Sequence, residues 1–275
     1  MGKTLIVGDM HLKQRIILPR VDAMVARYGI DRIVFVGDYC DERHSSDIML
    51  TDALCLFADW AEDARAAGRQ VDLLLGNHDY QYLLGEEGPG THMEQVEEVR
   101  ALLGELEPMV ATTVEGFLIT HAGLTESWVG EYVDEFADAD EAAICLNELY
   151  RSGSAENLRI LFERGPGRGG WDLPGPLWAD RDELRSDAVV GINQIVGHTP
   201  VSTCELVCGG EGDAHDAQVW LCDTFSLAPQ LFAIGDGSML LVEDGQVSVV
   251  GGDDDEELFP WSYVVSEWES ANIHW

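Results

Sequence analysis

Positive charge is scarce in this sequence. Among 275 residues, Lys and Arg number 16 against 51 Asp and Glu, a formal net charge of -35. Such a surface repels a nucleic-acid backbone unless positive charge is focused locally, and no basic track is evident, so nucleic acid is not an expected partner. The acidity itself reads as a solvated, solubilising surface. Long apolar runs are also missing. None approaches the ~20 residues that span a bilayer, and the opening MGKTLIVGD has neither a basic leader of useful length nor a small-residue cleavage site, which points to the cytoplasm and to no membrane partner. Cysteine is sparse and scattered, at Cys40, Cys55, Cys145, Cys204, Cys208 and Cys222, which excludes the dense framework of a small secreted disulfide domain. Reduced thiols are expected. The four-residue spacing of Cys204 and Cys208 leaves a disulfide or a metal site open, without a matching second pair.

What is present is enough apolar content, 46%, to bury a sizeable core. KTLIV, RIVFV, VDLLL, GFLIT, INQIV and QVWLC are compact runs rich in Val, Ile and Leu that mostly stop at Gly, His, Asn or Asp. They read as buried strands that deliver polar residues at their carboxyl ends. The spacing of Ile17, Val21, Met24 and Val25 predicts a helix over 14–28 that ends at Gly29, and Leu50, Leu54, Phe57 and Trp60 predict another over 47–67, stopped by Gly68. SMLLVEDGQVSVV reads as a hairpin turning at Asp244 and Gly245.

The whole chain, 1–275, reads as one domain with two elaborations. Between Gly123 and Ile192, EYVDEFADADEAAICLNELY reads as helical and GPGRGGWDLPGPLW as turns, a lid or accessory lobe. From about residue 251, GGDDDEELFPW reads as a solvated loop before a packed or partly helical tail with Trp261, Trp268 and Trp275.

Polar residues that follow the apolar runs form one chemical set. GDMH supplies Asp9 and His11, GDYCD supplies Asp38 and Asp41, GNHD supplies Asn77 and His78, and THAG and GHTP supply His121 and His198. Oxygen and imidazole donors without a thiolate array suit Mn²⁺, Fe or Zn²⁺ better than an all-sulfur zinc centre. A working arrangement makes Asp38 the bridge between two cations, with Asp9 and His11 on one and Asn77, His121 and His198 on the other. Two divalent ions against Asp9, Asp38 and a hydroxide leave about one positive charge, enough to attract a phosphate into an acidic protein. Asn77 fits as a neutral oxygen ligand. Each residue alone also suits a turn or a cap; their recurrence after similar runs favours the metal reading.

The ordered pieces GDMH, GDYCDER, GNHD, THAG and GHTP, followed by CDT, resemble the calcineurin-like metallophosphoesterases, especially the branch of protein serine/threonine phosphatases and symmetrical diadenosine-tetraphosphate hydrolases. The resemblance implies an α/β fold, a four-layer αββα sandwich of mixed sheets. It also implies two divalent metal ions with Asp9, His11, Asp38, Asn77, His121 and His198 as ligands, and Mn²⁺ is the activator expected in vitro. Asp38 bridges them, and a hydroxide held between the metals attacks the phosphoester. His78 is implied as proton donor to the leaving oxygen and Asp41 as the residue that orients it.

Phosphate recognition calls for a fixed positive donor, for which Arg43 and, in PLWADR, Arg181 are candidates. Three departures stand out: Leu12 replaces a glycine after GDMH, the usual Asp-Arg-Gly becomes Asp41-Glu42-Arg43, and Thr199 fills the middle of GHTP where some relatives have a second histidine. The expected activity is hydrolysis of a phosphomonoester on a phosphorylated protein or small molecule. Diadenosine-tetraphosphate hydrolysis is the alternative, with a phosphodiesterase or nuclease and a noncatalytic metal-stabilised binding domain ranked behind it.

Overall fold

Each apolar run is too short and too tightly bounded by turn formers to become a helix, and its side chains alternate between two buried environments. The computed structural model describes residues 2–133, 135–210 and 216–272. Strands β1 (Thr4–Val7), β2 (Arg32–Phe35), β3 (Gln70–Leu73), β4 (Ala111–Val114), β5 (Phe117–Thr120), β6 (Asn193–Pro200), β7 (Glu205–Cys208), β8 (Val219–Asp223), β9 (Met239–Glu243) and β10 (Gln246–Val250) form two sheets. Their orders are β10-β9-β1-β2-β3 and β4-β5-β6-β8-β7. Both are mixed. β1, β2 and β3 run parallel, as do β5, β6 and β8, while β9, β10, β4 and β7 are antiparallel to their neighbours.

The helices are α1 (Gln14–Tyr28), α2 (Asp47–Ala66), α3 (Asn77–Leu84), α4 (Val96–Leu106), α5 (Glu126–Tyr132), α6 (Ala139–Arg151), α7 (Ala155–Leu161), α8 (Arg181–Asp187) and α9 (Trp261–Asn272). Strand β1 shows how the layers arise. Leu5 and Val7 pack outward with Ile17, Val21, Leu54 and Phe57 of α1 and α2, whereas Ile6 faces inward with Val34, Ile119, Ile195 and Leu240 of both sheets. On the far side, Leu118 of β5 packs with Trp128, Leu146 and Leu161 of α5, α6 and α7. The result is the αββα sandwich.

Helix α1 spans the expected residues and closes on Gly29 in the left-handed region, φ 66°, with its N–H on Val25 O. Helix α2 begins at the Ser46 cap, whose hydroxyl accepts the Met49 N–H, and ends at Ala66, one residue early. Trp60 is half-buried and donates Nε1–H to Asp22. The run 131–150 is broken rather than one helix. Helix α5 stops at Tyr132 and α6 starts after Asp138, because the Asp138 carboxylate caps the Glu141 N–H and sets a new N-terminus. The hairpin turns at Asp244 and Gly245, both with positive φ as a tight turn there demands. Residues 251–260 form no regular element before α9, where Trp261 and Trp268 are buried. Trp275 lies outside the described residues.

None of the six cysteines forms a disulfide. Cys204 packs between the sheets beside Cys222, while Cys208 joins Val219 and Leu221 in another cluster, a separation produced by the register shift between Leu206 and Cys208. The spacing of Cys204 and Cys208 therefore makes no disulfide.

Candidate metal centre

The parallel strands of each sheet end at the same edge, and the polar residues that terminate them converge there. Asp9 follows β1, Asp38 follows β2, Asn77 opens α3 after β3, His121 follows β5 and His198 lies within β6. A bulge between Val196 and Pro200 turns His198 out of the ladder, at φ 61°. His11, Asp38 and Asp41 also have positive φ, 41°, 54° and 63°, a concentration of strained backbone at one place. Two motif glycines are explained by close approach. A Cβ on Gly76 would collide with Asp38 Oδ1, and one on Gly197 with Asp9 Oδ1.

Asp38 Oδ2 lies 3.6 Å from His11 Nε2 and 3.5 Å from His121 Nε2. One oxygen is thus shared by two clusters, Asp9-His11-Asp38 and Asp38-His121-His198, each with ligand atoms within 4.8 Å of one another. Asn77 Oδ1 joins the second cluster at 3.0 Å from His121 Nε2. Hydrogen bonds from behind set the tautomers. His11 Nδ1 lies 2.9 Å from Asp41 O and His121 Nδ1 2.9 Å from Val36 O. A carbonyl only accepts, so the protons sit on Nδ1 and both Nε2 lone pairs face the cluster. Asp38 Oδ1 is occupied by the His78 N–H at 2.9 Å, which leaves Oδ2 for the shared position.

Electrostatics make the same demand. Burial, first of all, pushes Asp9 well above the usual carboxylate range and Asp38 to about 8, and it lifts Asp223, the last residue of β8, to about 6. Burial also holds His11 at about 4 and His121 at about 3, and it holds His198 well below its ordinary value. Crowded carboxylates and neutral imidazoles with inward lone pairs fit divalent cations, and no thiolate takes part.

Asp79 holds the frame. Its carboxylate accepts the N–H groups of Asp38 at 2.8 Å, Tyr39 at 2.9 Å, Cys40 at 3.0 Å and Gly76 at 2.9 Å, tying the loops after β2 and β3 together. Burial comes first in lifting its carboxyl to about 6. From the sequence alone, Asp79 has no assigned role.

Beside the cluster, His78 Nδ1 lies 3.0 Å from Asp41 Oδ2. Burial opposes charge on this imidazole, but Asp38 and Asp41 outweigh it and raise its pKa to about 9. A cavity of about 700 Å³ opens here, with His11, Asp38, Asn77, His78, His198 and Asp223 in its wall. Arg43 lines it from an exposed loop. Arg181 is not among the lining residues. It is the first residue of α8, and its guanidinium pairs with Glu205 of β7 at 2.9 Å. The lining arginine from that region is Arg168, which the sequence reading passed over in a stretch of glycines and prolines. It donates to Thr199 Oγ1 at 2.7 Å and His198 O at 3.2 Å, and its Nε lies 2.9 Å from Asp180. Trp178, also in the wall, meets the His198 ring edge to face at 5.4 Å. Where relatives place an arginine, Glu42 pairs with fully buried Lys13 at 2.6 Å.

Two histidine-carboxylate clusters sharing one oxygen, at the strand ends of an αββα sandwich, define a metal-dependent hydrolase. The model of the calcineurin-like phosphoesterase family matches residues 2–221, and the chain belongs to that family. Its class of chemistry is metal-dependent phosphoester hydrolysis, and the family uses divalent metal ions, typically two. No curated protein sequence gives a significant match. Among solved structures, a cold-active protein-tyrosine phosphatase of a psychrophilic Shewanella species is similar at 18% identity and TM-score 0.58, over 90% of this chain and 77% of that one. A Saccharomyces cerevisiae protein serine/threonine phosphatase is 14% identical, with TM-score 0.46, over 95% and 84%. A putative diadenosine tetraphosphatase is 16% identical, with TM-score 0.43, over 91% and 94%. The first supports the fold. No described helix is long and apolar enough to cross a membrane.

Proposed function

We propose that this chain is a binuclear phosphomonoesterase acting on phosphorylated protein side chains or small phosphate monoesters. The observation that carries the reading is the position of Asp38 Oδ2 between two imidazole lone pairs, with the His78-Asp41 pair in the same cavity wall. Asp9, His11 and Asp38 would hold one ion, and Asp38, Asn77, His121 and His198 the other. Bound there, divalent ions supply Lewis-acid charge and activate the attacking water. Mn²⁺ is the proposed activator in vitro, with Fe or Zn²⁺ also compatible with the donors.

Arg168, fixed by Thr199 and Asp180, holds phosphoryl oxygens, with Arg43 across the cavity. His78 gives its Nε2 proton to the leaving oxygen while Asp41 keeps Nδ1–H in place. The proposed compartment is the cytoplasm, where six cysteines without a disulfide stay reduced.

Diadenosine-tetraphosphate hydrolysis is the second reading, favoured by a cavity far larger than one phosphate and by its apolar flank of Leu227 and Pro229. The metal-loaded protein should be assayed at matched concentrations on phosphoserine, phosphothreonine and phosphotyrosine peptides, nitrophenyl phosphate, bis-nitrophenyl phosphate, diadenosine tetraphosphate and single-stranded DNA. Monoesters should exceed the diester and DNA, with phosphopeptides preferred. A much larger kcat/KM for diadenosine tetraphosphate would transfer the assignment to the second reading.

A further inference from the structure

Tyr82 stands one helical turn after His78 on α3, so the two side chains leave the same face of the helix. It is fully buried. Its hydroxyl lies 2.6 Å from Asp41 Oδ1 and accepts the main-chain N–H of His92 at 2.8 Å. An N–H can only donate, so the phenolic proton is directed to Asp41. Burial, and then the Asp41 charge, raise the ionisation of Tyr82, which keeps that proton in place.

Asp41 is consequently fixed at three points. Oδ1 takes the tyrosine, Oδ2 faces His78 Nδ1, and the main-chain carbonyl takes His11 Nδ1. With Oδ1 occupied, the carboxylate is held from rotating away from the imidazole, in a residue whose own backbone is left-handed. The loop that carries His92 belongs to the cavity rim. Its ring is held by Asp47 at 2.6 Å and Ser45 at 2.9 Å, and a Cβ on Gly90 would come within 3.3 Å of the Asp41 Cβ.

We propose that Tyr82 is a positioning residue for the acid pair, its hydroxyl selecting the Asp41 oxygen that faces His78 and joining that choice to the rim loop through the His92 amide. The proposal rests on the reading of His78 as the proton donor. Phenylalanine at this position keeps the ring and its packing, removes the donor to Asp41, and leaves the His92 N–H without its acceptor.

The test uses the full-length, metal-loaded wild type, Tyr82→Phe, His78→Asn and the double variant. Each is measured for kcat and KM on phenyl phosphate, a poor leaving group, and nitrophenyl phosphate, a good one, with bound metal by elemental analysis. Tyr82→Phe should lower kcat on phenyl phosphate by on the order of tenfold, the scale of one buried hydrogen bond. The loss on nitrophenyl phosphate should be smaller, with KM and metal content kept. In the His78→Asn background the second change should do nothing further. Equal losses on both esters, losses that multiply with those of His78→Asn, or loss of metal from Tyr82→Phe would each overturn the proposal. If His78→Asn itself loses equally on both esters with its metal intact, the acid reading fails and takes the proposal with it, an outcome told apart because it appears without any change at Tyr82.

Discussion

His121 Nε2 stands 3.1 Å from His198 Nδ1 in the buried floor of the cavity. The His121 proton is committed on the other side of its ring, to Val36 O, so a bare lone pair faces its neighbour. His198 Nε2 is buried and has no hydrogen-bond partner. No tautomer of His198 satisfies both of its nitrogens. With its proton on Nε2, His198 turns a second lone pair on Nδ1 toward that of His121, and a cation between the two rings would take both together with the nearby Asn77 Oδ1 and Asp38 Oδ2.

Elemental analysis of the fully loaded protein should therefore find about two divalent ions per chain. Asp38→Asn should weaken both together, because it removes charge from the shared oxygen, whereas His121→Ala should release mainly one. Chelation should lower the melting temperature, since bound metal adds to folding stability. Two ions retained in Asp38→Asn would show that the oxygen is not shared.

The Asp79 clamp leads to a prediction about stability. Asp79→Ala strands the N–H groups of Asp38, Tyr39, Cys40 and Gly76 in a dry interior. Urea titration should show a loss of about 3–5 kcal/mol. The surviving folded protein should also bind metal more weakly, because the loop carrying Asp38 loses its tether. A loss within the ordinary surface range of about 0.5 kcal/mol would remove Asp79 from this role.

Legibility in the sequence followed how local each determinant is. Ile17, Val21, Met24 and Val25 lie on one stripe, and Gly29 is the residue that tolerates the left-handed closing turn, so α1 could be read from its own letters. The ligands were visible because short buried strands place polar residues mostly at their ends, and four of the six, Asp9, Asp38, Asn77 and His198, directly follow a glycine where two loops meet closely. Asp79 was hidden: a carboxylate in a first helical turn looks the same whether it caps its own helix or also gathers amides from a loop some forty residues away. Arg168 was hidden by its surroundings of turn formers, which specify no direction for a side chain. PLWADR pointed to Arg181, but the Asp180 cap starts α8 there and leaves Arg181 on the helix side that meets Glu205. The break at Asp138 was equally ambiguous, because acidic residues suit both a helix surface and a helix start.

Lys13 and Glu42 form an ion pair at 2.6 Å whose lysine is fully buried. Burial opposes the Glu42 charge, but Lys13 outweighs it and the carboxyl is held below its ordinary value. The stabilisation this gives is present above the ordinary carboxylate range and is lost as pH falls through the lowered value. Lys13→Met should cost about 3–5 kcal/mol by leaving Glu42 alone, and Lys13→Met with Glu42→Gln should cost less than the sum. Glu42→Gln should also flatten the acid limb of the stability curve. Strict additivity in thermal or urea unfolding would mean that the pair is not coupled.

Arg168 and Arg181 separate two accounts of phosphate recognition. Arg168 is braced against Thr199 and Asp180 in the cavity wall, next to His198, while Arg181 is committed to Glu205 outside it. A guanidinium that contacts the phosphoryl oxygens lowers KM through the ground state and raises kcat only as far as the contact strengthens in the transition state, so kcat/KM reads both contributions. Arg168→Ala should therefore lower kcat/KM for a phosphomonoester by about ten- to a hundredfold, the range of one charge-assisted contact of about 1.5–3 kcal/mol. Arg168→Lys should recover only part, because an ammonium cannot reproduce the planar fork. Arg181→Ala should change kcat/KM by less than about twofold, as expected of a half-buried ion pair outside the cavity lining. Arg43→Ala should fall between them, since its exposed side chain is not braced. Steady-state kinetics with metal content matched across the variants decide the matter, and a larger loss from Arg181→Ala than from Arg168→Ala would return phosphate binding to α8.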